Sequence, residues 1–240
     1  MKRLATNCMM VLGLLLLPID AQADSIVVGF TNITNDSGIA ADIAGQLRLT
    51  IYDASEAFSE FGVSILGGQV LFAYTNAVGI ASSISEIYID DGTVVSFDRI
   101  INNLGGYTLF TGPGAHPGNL PGGQGLTPPF VATQIFSADA QGNPIVGVDS
   151  AADIVGVVYT VNGGLDGLEA ALADGSLRVG LHLRSIGSEG DSDSFVDTVP
   201  EPSLIILLGI GFGVLGLPLR RRSTRSCQVE RDRYRRHSSK

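Results

Sequence analysis

Carboxylates are the groups through which this chain would most readily do chemistry. Calcium takes six to eight oxygen ligands and needs hard oxygens brought close together. Three sets have the composition for it: Asp90-Asp91, then Asp139, Asn143, Asp149 and Asp153, then Glu189, Asp191, Asp193 and Asp197. None follows the D-x-D-x-D-G spacing of a calcium loop, and the last set reads more simply as a solvated acidic stretch. Two histidines accompany them. His182 sits between Leu181 and Leu183, so strand geometry turns it away from the apolar stripe. His116 lies in a Pro/Gly-rich stretch. The sequence contains no G-x-S-x-G, H-E-x-x-H or C-x-x-C. Carboxylate pairs of the glycosidase kind are defined in space, not in sequence, so a secreted hydrolase stays as an alternative.

The elements that would position these groups are mainly β. Alternation of period two marks strands at Ser25–Thr34, Ile43–Ile51, Val70–Tyr74, Ile84–Ile89, Val131–Ser137, Ile154–Val161 and Ser176–Ser185, with a short one at Tyr107–Phe110. Asp90-Asp91-Gly92 reads as a turn leading to a returning strand, Thr93–Ile101. Leu165, Leu168 and Leu172 are spaced for one short helix over Leu165–Asp174, with Asp166 as its N-cap and Gly175 as its stop. Gly112–Pro129 holds five prolines and six glycines, which excludes a regular helix or a central strand. The expected fold is an antiparallel β-sandwich, jelly-roll or Ig-like, over residues 24–187. An acidic Gly/Ser linker is expected at 188–198.

Both ends read as targeting segments. Lys2-Arg3, the apolar Met9–Leu17 and Ala21-Gln22-Ala23 form a secretory signal peptide over residues 1–23, cut before Asp24. At the other end, Leu204–Leu219 is apolar and uncharged. As a helix it covers roughly 24 Å, somewhat short of the ~30 Å hydrocarbon core, and snorkelling arginines make up part of the difference. Arg220, Arg221 and Arg222 place its end in the cytoplasm. Residues 223–240 extend this as a basic cytoplasmic tail. The Asn32-Ile33-Thr34 and Asn35-Asp36-Ser37 sequons read as strand-end and turn residues.

Charge bounds the partners. Residues 24–198 carry 20 acids, four arginines and no lysine, a net charge of −16. Such a surface repels nucleic acid and anionic membranes and attracts divalent cations. Cys8 and Cys227 both fall in targeting segments, so the exported part has no disulfide.

Val199-Pro200-Glu201-Pro202-Ser203, the Gly/Leu-rich apolar run and the arginine cluster occur in the order of a PEP-CTERM sorting signal, and this end of the chain resembles that family over residues 199–222. The resemblance implies recognition by a membrane protease-like exosortase, removal of the signal near the motif, and a Gram-negative host with exopolysaccharide. The family usually ends soon after the arginines, whereas this chain continues for 18 residues. Gly68–Phe72, Ile89–Gly92, Pro117–Gly123 and Leu177–His182 also look like pieces of a recurring PEP-CTERM exported domain, to which no activity attaches. The expected protein is a non-enzymatic surface or biofilm-matrix component with no cofactor. It would be exported by the secretion machinery, held by the membrane, then released to the surface. Exopolysaccharide and surface proteins are its expected partners. A calcium- or carbohydrate-binding module and a permanently anchored single-pass protein are the alternatives.

Overall fold

A computed structural model describes residues 25–77, 79–142 and 145–198. The segment 1–23, Asp24, the motif Val199–Pro202, the apolar run 204–219, Arg220–Arg222 and the tail 223–240 lie outside the described residues, as does Asn143. No helix among the described residues is long and apolar enough to cross a membrane.

The described chain is mainly β. Its strands are β1 (Ile26–Val28), β2 (Phe30–Asn32), β3 (Leu47–Tyr52), β4 (Gln69–Asn76), β5 (Ser83–Asp91), β6 (Val95–Gly105), β7 (Phe110–Thr111), β8 (Ala138–Ala140), β9 (Ile154–Val161), β10 (Leu177–Ile186) and β11 (Asp191–Asp197). Three helices interrupt them: α1 (Ala40–Ala44), α2 (Ala54–Phe61) and α3 (Gly164–Asp174). They build two antiparallel sheets, ordered β1-β3-β4-β9-β6 and β2-β11-β10-β5-β8-β7. The facing sides interdigitate. Leu49, Ile51, Phe72, Val157 and Tyr159 from the first sheet join Ile87, Ile89, Val179, Leu181 and Phe195 from the second in one core. This is the two-sheet arrangement of a β-sandwich, and the period-two alternation is what sends these residues inward.

Several sequence expectations change. Ser25–Thr34 is not one strand. It breaks at Gly29, so β1 joins the first sheet and β2 the second. A side chain at Gly29 would stand 3.3 Å from Thr198 Oγ1, and Thr198 N–H donates to the Gly29 carbonyl at 3.0 Å. Nor do β5 and β6 form a hairpin, because β5 pairs with β10 and β8 while β6 pairs with β9. The Asp91 carboxylate accepts from the N–H groups of Thr93, Val94 and Val95 at 3.2, 2.8 and 3.1 Å. That turn steers the chain across to the other sheet. Val131–Ser137 holds a 3-10 turn at Gln134–Phe136 in place of a strand. The stretch expected to be an acidic linker carries β11, which pairs on both sides, so the sandwich runs on through residue 197. The N-cap of α3 is Gly163, at φ 94°, and Asp166 sits in the first turn.

Two helices appear beyond the expected one. α2 opens with a reciprocal capping box: Glu56 N–H donates to Asp53 Oδ1 at 2.8 Å, and Asp53 N–H donates to Glu56 Oε2 at 3.3 Å. Gly62, at φ 67°, ends it.

Candidate functional site: a charged ladder beneath the Pro/Gly strap

On β10 the odd-numbered residues Val179 and Leu181 fill the core, so Arg178, Gly180, His182 and Arg184 face outward. Cross-strand register sets Ser194 of β11 opposite His182, His182 opposite Glu86 of β5, Glu86 opposite Asp139 of β8, and Asp139 opposite Thr111 of β7. A polar row thus crosses the outer face of the second sheet. Its centre is Glu86, 1 % exposed. One carboxylate oxygen lies 2.7 Å from His182 Nδ1, and the other pairs with the Arg184 guanidinium. A buried carboxylate between two basic groups is compensated on both oxygens. Asp139 next door is pushed up from the ordinary carboxylate range, by burial first and then by the Glu86 charge. Burial raises the Tyr88 phenol strongly, with Glu86 and Asp139 adding to it.

The stretch 112–137 lies over this face as a strap. Its Ala115, Leu120 and Phe130 are buried with Tyr88 in a second, smaller apolar cluster. Gly180 makes the fit: a Cβ there would stand 2.7 Å from Leu120 Cδ2 and 3.1 Å from Phe130 Cζ. Two 3-10 turns, Gly123–Gly125 and Gln134–Phe136, satisfy part of the strap's backbone, and side chains of the sheet and of the strap supply further bonds. Tyr88 Oη donates to the Pro117 carbonyl at 2.9 Å, and Arg184 donates to the His116 carbonyl at 3.4 Å. Asn119 bridges Phe130 and Ala132, and Gln134 bridges Gly118 and Ala115. Arg178 pins the far end. It donates to the carbonyls of Pro128 (2.8 Å) and Pro129 (2.6 Å), pairs with Asp90, and stacks over the Phe130 ring at 5.3 Å. Asp90 also accepts from Val131 N–H at 3.0 Å.

The calcium candidates are scattered by this arrangement. Asp90 holds Arg178, Asp91 holds the β5–β6 turn, and Asp139 stands in the polar row. Among the described candidates only Asp149 and Asp153 come together. Burial and a hydrogen bond with Asp153 raise the Asp149 carboxyl. Burial opposes ionisation of Asp153, but donors from Tyr107 N–H (2.9 Å) and Ser150 Oγ (2.7 Å) outweigh it and hold its carboxyl low. In the last acidic set, Asp193 is buried and accepts from Thr34 Oγ1 at 3.1 Å and Asp36 N–H at 2.7 Å. Among the described residues no three His, Cys, Asp or Glu side chains form a group able to hold a metal ion.

Glu86, Arg178 and Arg184 were not singled out from sequence. Their signal was present: the alternation that turns His182 outward turns both arginines to the same face. Ser194, His182 and Glu86 stand in the order of a nucleophile–base–acid set. The Ser194 hydroxyl is nevertheless buried without a hydrogen-bond partner, so no nucleophile–base bond is made. An open pocket of about 210 Å³ lies at the Arg178 end, lined by Leu126, Thr127, Leu172, Arg178, Val196 and Asp197. Burial raises the Asp197 carboxyl to about 6. In comparisons with known proteins, no family model, no curated protein and no solved structure matches this chain.

Proposed function

We propose that this chain is a non-enzymatic exported protein of the cell surface or extracellular matrix, sorted through Val199–Pro202 and processed by an exosortase-type enzyme. The observation that carries the reading is the three-part C-terminus: a proline-flanked glutamate, an uncharged apolar run and three arginines, in a chain that opens with a signal segment. Proline fixes the motif in an extended form that a membrane enzyme can grip. The domain adds a second support. Its polar side chains are spent on fixing loops: Asp91, Asp193, Asn119, Gln134 and Arg178 each bind backbone groups. That suits a durable module, jelly-roll or Ig-like within the sandwich class, with a structural or adhesive role in exopolysaccharide.

Mass spectrometry of the mature surface protein tests the sorting step. Loss of all peptides from Ser223–Lys240 is expected. Their recovery in the mature form would turn the reading toward a permanently anchored single-pass protein.

A calcium-binding reading has one observation in its favour, the Asp149–Asp153 carboxyl contact, where a divalent cation would replace a shared proton. A thermal melt in calcium and in EDTA decides it, and an unchanged midpoint removes it.

A further inference from the structure

We propose that β11 is a gate on processing: the folded sandwich withholds the residues just before the sorting motif, and the chain is cut only when the end of that strand peels away. The inference rests on the sorting reading above and concerns its regulation. Sequence alone suggests a solvated linker between domain and motif, but the structure leaves no such spacer. β11 lies between β2 and β10. Phe195 and Val196 pair with Leu181 and Gly180 on one side and with Asn32 and Thr31 on the other. Asp197 pairs with Phe30 and accepts from Val179 N–H at 2.7 Å. Thr198 N–H is bound to the Gly29 carbonyl at 3.0 Å. The ladder therefore holds through Thr198, and Val199 follows at once.

An enzyme that binds an extended peptide reads its main-chain N–H and C=O groups. Within the motif only Val199 and Glu201 have an N–H to offer. Further donors upstream are those of residues 195–198, and the sheet already uses them. Freeing them also lifts Phe195, fully buried, out of the core. Cleavage then tracks the population of the opened strand end, not that of the closed domain. Asp197 biases this opening, because its carboxyl is forced to ionise within a partly buried site as pH rises past about 6.

Pulse–chase of the full-length chain in its own host, read by intact mass, tests the gate with three chains. The first is unaltered. The second carries a ten-residue Gly/Ser insertion between Thr198 and Val199. The third is the double variant Thr31→Cys/Val196→Cys, which joins directly opposed residues in a region with no native cysteine. The insertion is expected to speed cleavage about tenfold or more, and the crosslink to slow it by about tenfold, with recovery on reduction; tenfold is the effect of ~1.4 kcal/mol of opening cost. Equal rates in all three chains, with melts showing each domain folded, would overturn the gate and leave the sorting reading standing. Absence of cleavage in all three would overturn both.

Discussion

The outer faces of the two sheets are covered in opposite ways. On the first sheet, α2 and the segment after it cover Leu71 and Val158, with Ala57, Tyr52, Phe61 and Ile65 in the contact. The rings of Tyr52 and Phe61 meet edge-on at 5.4 Å. This cover is mostly helical, so it satisfies much of its own backbone and brings a mainly apolar surface to the sheet; past the helix, Arg99 of β6 donates to the Ser64 carbonyl and Gln69 of β4 accepts from Leu66 N–H. On the second sheet the cover is a strap of prolines and glycines. Its backbone groups are satisfied in part within the strap and in part by side chains borrowed from the sheet, Tyr88, Asp90, Arg178 and Arg184, and the sheet beneath it keeps a buried carboxylate. A regular cover needs few polar residues from the sheet, whereas an irregular one recruits more of them. The charged ladder is therefore part of the strap's anchorage as much as a site in its own right.

The sharpest way to break this contrast is Glu86→Ala. It leaves Arg184 and His182 without their shared partner, and a loss of about 3–5 kcal/mol in urea unfolding is expected. A loss under ~1 kcal/mol would mean the ladder is uncoupled from the fold. Leu71→Ala is the matching change under α2. It should cost about 2–4 kcal/mol through the cavity it opens, with no dependence on pH between 5 and 8.

Arg178→Lys keeps the charge but loses the fork that spans Pro128, Pro129 and Asp90. Limited proteolysis should open the strap within 112–130, at a stability cost of about 2 kcal/mol. Cutting elsewhere first would show that the arginine does not anchor it. Asp197→Asn addresses the rim between the strap and α3. A carboxyl raised in the folded state stabilises below its unfolded pKa of 3.8 and loses that contribution as pH climbs through about 6. Tyr74, Asp90 and Arg178 are the ionisable groups that sense the same charge. The variant should gain about 2 kcal/mol over the parent at pH 8 and nothing at pH 3.5. A constant difference across that range would refute the assignment. The smallest effect is expected at Asp53→Ala, about 1 kcal/mol, from the loss of the α2 capping box.

Strand positions were legible because alternation is local. Ile154–Val161 reads directly from the sequence and is β9 residue for residue. Pairing was not, since whether Asp91 turns the chain back or across depends on which sheet holds the next partner. The same limit hid β11. Asp193 and Asp197 look like linker residues until Thr34, Asp36 and Val179 are seen to supply their hydrogen bonds, and Asp191 until it is seen paired with Ile186. α2 was missed for another reason. The spacing of Asp53 and Glu56 did signal a helix start, but the helix is only eight residues long and packs a single fully buried residue, Ala57. The Glu86–His182–Arg184 contact needed register as well as alternation, and register is a property of two strands at once.

The bond between Thr198 and Gly29 also brings the two ends of the described sandwich close together. β1 ends and β2 begins where β11 ends, so Thr198, the last described residue, lies beside Gly29, a few residues along from Ser25, the first. A domain whose two ends meet is a pendant, not a link in series. Tension applied between Ser25 and Thr198 does not run through the length of the body.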